Sequence, residues 1–244
     1  MSTALLLAIV VVIAVVVVAM GREDKPTPRP KLPTHGNSAL AGGYIDAGQV
    51  CFYAPTPVQQ LQAALPGVEV VDCTQNGLTL GEALAGGSVR MGVPALGQTQ
   101  ATTESLATIW QRERPQFAYV ALLEVEPLFD PQWTPARLVE QLQTLLATAQ
   151  AVGVTPIVQG AIHFAVGGPV TSEGLARLDQ AHQVALSWAR GQGLPVVDPR
   201  VVPFDPGADV CADGLHPTAA MHARYTQTRA AAIAQILTTQ GSQA

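Results

Sequence analysis

Apolar positions along this chain fall into three patterns, and each predicts a different element. The first pattern is an uninterrupted run. Residues 3–20 read TALLLAIVVVIAVVVVAM and carry no charge. The run is apolar on every side, so it lacks the amphipathic period of a helix packed on a globular core. Eighteen helical residues span roughly 27 Å, close to the hydrocarbon thickness of a bilayer, which predicts a membrane-spanning helix. No Lys or Arg precedes the run, and it is longer than a usual signal core; both features favour a retained anchor over a cleaved leader. The second pattern is a set of short apolar blocks at residues 68–71 (VEVV), 117–123 (FAYVALL), 154–158 (VTPIV) and 194–197 (LPVV), which predict buried strands. The third has helical spacing. Thr134 and Pro135 supply a cap and a first-turn proline, Leu138, Leu142, Leu145, Leu146 and Ala149 share one face, and Gly153 marks the end. A second helix is predicted after Thr171 and Ser172, with Leu175, Leu178, Ala185 and Leu186 inward, and a third over residues 218–237. Strands alternating with helices predict a three-layer α/β/α sandwich around a mainly parallel, flavodoxin-like sheet.

Between anchor and body, residues 21–33 hold four prolines and six charges and show no apolar period, as an extended linker does. The chain thus divides into an anchor (1–20), a linker (21–33), a globular domain (34–240) and a short tail (241–244). Arg22, Lys25, Arg29 and Lys31 follow the apolar run, and the positive-inside rule applied to them puts the body on the cytoplasmic side. Hydrophobic residues make up 48% and charged residues 13%, which excludes a disordered chain by composition. Thirteen Lys and Arg against 18 Asp and Glu leave a net charge of −5 with no basic cluster in the body, so nucleic acid is not an expected partner. Cys51, Cys73 and Cys211 form no CxxC pair, and no His stands at zinc spacing. They read equally as one disulfide plus a thiol or as three buried thiols, and no metal is implied.

In parallel sheets, ligands gather at the C-terminal strand ends, on loops leading into helices. Three segments fall there. His35-Gly-Asn-Ser38-Ala-Leu-Ala-Gly42 sets a hydroxyl among small residues, where a tight turn can free the backbone N–H at Ser38; taken singly, such a serine after Gly-Asn is more often just a turn. Asn76-Gly77 follows the VEVVDC block, and a glycine there permits close backbone approach to a ligand or simply makes a turn. Asp213-Gly-Leu-His216-Pro217 precedes the last helix. Three residues separate the carboxylate from the imidazole, so one loop can set Asp213 against His216 and choose its tautomer. His163, His182 and His222 read as structural, His35 is a candidate for lining the pocket, and Trp110, Trp133 and Trp188 are too scattered for a stacking platform.

Together and in this order, the three segments resemble the SGNH/GDSL hydrolase family over roughly residues 34–236, with Asp-Gly-Leu-His-Pro the most specific part. The resemblance implies a serine esterase without a cofactor. Ser38 would be the nucleophile, His216 the base, Asp213 its orienting acid, and the N–H groups of Ser38 and Gly77 the oxyanion donors, with Asn37 and Asn76 at the pocket. It further implies an ester of a small molecule or glycan as substrate, acyl transfer to a sugar hydroxyl as the neighbouring chemistry, and a domain outside the cytoplasm, opposite to the side the flanking charges indicate. Three departures stand out. Asn37 replaces the usual Asp. The expected first strand, Lys31-Leu-Pro-Thr-His35, contains a proline. The third block, usually Gly-x-Asn-Asp, falls at Leu123-Glu-Val-Glu-Pro127, where Glu124 or Glu126 would stand near the missing donor. That loss would slow hydrolysis by about 10²–10³, and it favours the alternative of a catalytically weak binding protein.

Overall fold

The computed structural model describes residues 28–47, 49–90 and 100–241. The predicted anchor at 3–20 and most of the linker lie outside these residues. Among the described residues no helix is long and apolar enough to cross a membrane.

In chain order, strand β1 (Lys31–Gly36) leads into a four-residue helix α1 (Ser38–Ala41), a hairpin β2 (Gly43–Asp46) and β3 (Gln49–Phe52), and helix α2 (Pro57–Ala64). Next come β4 (Glu69–Thr74), α3 (Leu80–Ala85), a second hairpin β5 (Gly87–Arg90) and β6 (Gln100–Thr103), and α4 (Leu106–Glu113). The second half runs β7 (Phe117–Ala121), α5 (Val125–Phe129), α6 (Pro135–Val152), β8 (Thr155–Gln159), α7 (Ser172–Gly191), β9 (Val196–Val197), α8 (Pro206–Asp209) and α9 (Ala219–Gly241). The main sheet has the order β4-β1-β7-β8-β9, and every pairing in it is parallel.

Both faces of the sheet are covered, as the expected sandwich requires. Along β7 the side chains alternate: Ala118 and Val120 join a core with Trp110, Leu142 and Leu178, from α4, α6 and α7. Phe117, Tyr119 and Ala121 join the other, with Leu61 of α2 and Ile233 of α9. All five β7 residues are buried, which is why this strand reads in the sequence as a continuous apolar run. Helix α6 has the predicted ends: the Thr134 side chain accepts from Arg137 N–H, Pro135 opens the first turn, and Gly153 closes the helix at φ 71°. Leu146 is only partly buried, while Leu138, Leu142, Leu145 and Ala149 make the buried stripe.

The first strand corrects the linker boundary. Lys31, Leu32 and Pro33 belong to β1, which lies inside the sheet between β4 and β7. The proline is tolerated because of register. Carbonyls of Pro30 and Gly36 accept from Glu69 and Gln75 on the β4 side, so the even-numbered residues of β1 face β4 and Pro33 faces β7. Pairing with β7 begins only at Thr34, so the missing N–H falls where the ladder has not started. The two antiparallel hairpins have no counterpart in the sequence reading; strands of four residues carry too little periodicity to register.

Candidate active site

The site is assembled at the C-terminal ends of β1 and β4 and on the loop before α9. At the end of β1 the chain turns back on itself at Gly36, where a Cβ would meet Leu40 Cβ at 2.6 Å; only glycine lets α1 fold over the strand this closely. Asn37 then caps α1, its Oδ1 accepting from Ala39 N–H at 3.0 Å. Ser38 is the first residue of that helix, a position whose N–H has no role inside the helix. The Ser38 hydroxyl donates to His216 Nε2 at 3.0 Å, and His216 Nδ1–H donates to Asp213 Oδ2 at 2.7 Å. The tautomer follows from the carboxylate, which can only accept.

Asp213 is held as firmly as it holds. Oδ1 accepts from the N–H groups of Leu215 and His216, each at 2.9 Å, and Oδ2 accepts a further bond from Ile45 N–H at 2.9 Å. Burial by itself would raise its pKa. The His216 ring and the backbone donors of His216, Ile45 and Leu215 reverse that and hold the carboxyl well below its usual range. The loop itself is fastened at several points. Cys211 N–H donates to His216 O at 2.8 Å, Gly214 turns at φ 69°, and the Tyr53 hydroxyl donates to Pro217 O at 3.1 Å. Gly168 packs so closely that a Cβ on it would lie 2.6 Å from Asp213 O.

The Gly77 turn is tied to the end of β1. Gln75 N–H donates to Gly36 O at 2.8 Å, and Leu78 N–H closes the turn onto Gln75 O at 3.2 Å, with Gly77 at φ 72°. A positive φ at the third position of such a turn is what calls for glycine.

Comparisons with solved structures align nearly the whole folded part. A carbohydrate acetylesterase, Est24, from Sinorhizobium meliloti superposes with a TM-score of 0.64 at 12% identity, covering 85% of this chain and 100% of that one. An aryl esterase of M. smegmatis gives 0.65 at 13%, covering 84% and 99%. A protein of the G-D-S-L family from Desulfitobacterium hafniense gives 0.58 at 10%, covering 84% and 99%. The fold is that of the SGNH/GDSL hydrolases. No protein-family model and no curated protein sequence matches the chain.

Within the SGNH fold, two of the three departures explain each other. Asn37 Nδ2 donates to Glu124 Oε2 at 2.8 Å, and Glu124 is buried, 2% exposed. An Asp at position 37 would put two carboxylates at hydrogen-bond distance in a dry site, whereas the amide supplies a donor. Both oxygens of Glu124 are thereby engaged, one by Asn37, the residue before Ser38, and the other by Ile162 N–H at 3.4 Å. Burial raises its pKa, opposed by the Asn37 amide and the charge of Arg229. Glu126 is corrected outright. It accepts from Gln141 at 3.0 Å and Arg137 at 3.3 Å, tying α5 to α6 rather than reaching the site. The physical reason is that α5 begins at Val125, and two positions along a helix turn about 200°, so 124 and 126 point opposite ways.

Asn76 packs against the hairpin, its Oδ1 2.9 Å from where a Cβ on Gly43 would sit, and that oxygen has no hydrogen-bond partner among the described residues. His35 does not line the pocket. It lies on the opposite face of β1, buried, accepting from Trp110 Nε1–H at 3.0 Å, and burial lowers its pKa to about 3. His163 stacks on Phe204 with ring centroids 4.9 Å apart, and His182 and His222 are buried. All three cysteines are free thiols, and burial raises that of Cys73 to about 12. Among the described residues no His, Cys, Asp and Glu group could hold a metal. The sequence reading missed Ile45, whose contribution is a backbone N–H that any residue but proline carries, and Gly168, which only the Gly167-Gly168 pair signals.

Proposed function

We propose that this protein hydrolyses carboxylic esters through an acyl intermediate on Ser38. The observation that carries the reading is the continuous chain Ser38 Oγ–His216–Asp213, with both links at hydrogen-bond distance. His216 Nε2 takes the hydroxyl proton as Ser38 Oγ attacks the acyl carbon. Asp213 stabilises the imidazolium, and the N–H groups of Ser38 and Gly77 receive the oxyanion. Collapse transfers the proton from His216 to the leaving alcohol, and water then releases the acid by the same steps in reverse. The structural neighbours, one a carbohydrate acetylesterase and one an aryl esterase, support short acyl or O-acetyl esters as the substrate class. A fluorophosphonate probe should label wild type at Ser38 and leave Ser38→Ala unlabelled. Labelling of another serine in both proteins would overturn the assignment.

A binding role, with little turnover, is the second reading. It is favoured by one observation: Leu122, Leu123 and Glu124 follow β7, and none of them is the asparagine of the family pattern. A broad ester panel left untouched by wild type, with Ser38 unlabelled, would decide for it. Residues 3–20 we assign as the anchor that holds the domain at a membrane. The full chain is expected in the membrane fraction and a chain starting at Gly21 in the soluble one; identical partitioning would refute the anchor.

A further inference from the structure

Helix α9 buries a polar stripe where an apolar one would be expected. His222, Thr226 and Arg229 are 0%, 4% and 1% exposed, and their spacing of four and three residues puts them on one face. Arg229 Nε donates to Gln159 Oε1 at 2.7 Å, the same oxygen that accepts from the Tyr119 hydroxyl. Its guanidinium carbon lies 5.4 Å from the centre of the Tyr225 ring. Nη1 and Nη2 meet no acceptor among the described residues.

A guanidinium keeps its charge in proteins, so a buried one requires a negative charge nearby. Among the described residues the buried carboxylates offer few choices. Asp209 is paired with Arg224, and Asp213 with His216. Glu124 has no cation in direct contact. Its two hydrogen-bond partners are the Asn37 amide, at the end of β1, and Ile162 N–H, beyond the end of β8. Arg229 is fastened to Gln159, three residues before Ile162 on the same segment, and stands beside Tyr119, five residues before Glu124. Arg229 and Glu124 both act electrostatically on Tyr119, and the charge of Arg229 is felt at Glu124 itself.

We propose that Arg229 is the counter-charge of Glu124, and that this buried pair positions Ser38 by holding the Glu124 side chain against the Asn37 amide. The pairing stands on the structure alone; the positioning role rests on the esterase reading above. At low dielectric a charge acts over several ångströms, so direct contact is not needed. The other groups facing Arg229 are Gln159 from β8, Tyr119 from β7, and Tyr225 and His222 on its own helix. None supplies a negative charge: the tyrosines are pushed up by burial, and His222 is pushed down to about 3 by burial and by the charge of Arg229.

The test is a double-mutant cycle on the full chain with Arg229→Met, Glu124→Gln and the pair, using urea unfolding across pH. Glu124→Gln retains an acceptor for Asn37 and removes the charge, at the expense of the long Ile162 contact, where an amide NH2 replaces an acceptor oxygen. Each single variant is expected to lose stability, because it leaves a buried charge unpaired, and the double variant to lose less than their sum. In Arg229→Met the carboxyl of Glu124 should keep its proton when folded. The native state then binds more protons than the unfolded one, so stability should fall as pH rises from about 4.3 through neutrality, a slope absent from the double variant. Should Arg229→Met not fold, refolding on adding Glu124→Gln is the expected rescue, and its failure overturns the pairing. So does an additive cycle with a pH-independent Arg229→Met. In kinetics, Arg229→Met should lower kcat about tenfold with KM little changed, since small displacements of a reacting group cost this much or more, and the double variant should recover most of it. Coupled stability with kcat unchanged in every variant overturns the positioning role. A wild type inactive on all esters overturns the esterase reading and with it that role, while the stability cycle still decides the pairing.

Discussion

Replacing Ser38 by alanine is expected to lower kcat for an activated ester such as p-nitrophenyl acetate by on the order of 10⁴- to 10⁶-fold, the range spanned by removing single members of a catalytic triad. Steady-state kinetics on the purified chain measures it. The loss should come without a loss of fold, because the Ser38 hydroxyl donates to His216 and contributes no cap to α1. That cap is the Asn37 side chain, and alanine is the best helix former. Unfolding of the variant should therefore stay within about 0.5 kcal/mol of wild type. What remains of the activity would come from the backbone donors at positions 38 and 77. A variant within tenfold of wild type would mean that the attacking oxygen comes from elsewhere.

The second large effect is expected at Asp213. Asp213→Asn should reduce kcat by about 10⁴-fold with KM little changed, because an amide in that place reverses the imidazole tautomer. The bonding of this carboxylate makes the consequence specific. Its two oxygens accept four N–H donors, from Ile45, Leu215, the His216 backbone and the His216 ring. An asparagine has one acceptor oxygen. If that oxygen keeps the two donors at Oδ1, the amide N–H groups face Ile45 N–H and His216 Nδ1. The ring then relieves the clash by carrying its proton on Nε2, and Ser38 loses its base. A separate signature is expected in stability. The folded pKa of Asp213 lies below its unfolded value near 3.9, so the unfolded state binds the extra proton in acid. Its stabilisation is complete above that value and lost as pH falls below it. Unfolding curves between about pH 5 and 2 should fall less steeply for Asp213→Asn than for wild type. Equal slopes would show that the carboxylate is not stabilised by these donors.

How much of this could be read from the chain depends on the range of the interaction. The alternation of apolar blocks and amphipathic helices decided the layered parallel sheet, because burial on both faces writes itself into residues 117–123 and into Leu138, Leu142, Leu145 and Ala149. The loop that holds Asp213 and His216 was equally legible. Its partners are three residues apart, and local geometry brings them together whatever the rest of the fold does. Even the glycines at 36 and 77 announce positions where the backbone is crowded or turns through positive φ.

Tertiary structure decided the rest. Pro33 argued against a strand by its local chemistry, yet β1 lies inside the sheet because the missing N–H falls before the β7 ladder begins. Glu124 and Glu126 looked equivalent in sequence; a helix starting between them sends one to the Asn37 side chain and the other to α6. The exchange of Asp for Asn at 37 is understood only across the 87 residues that separate it from Glu124. Arg229, in a predicted helix, carried no sign of burial. Contacts between strands distant in sequence, and the desolvation they impose on charged groups, have no local signature in the chain; they exist only once the sheet has brought its C-terminal ends to one corner.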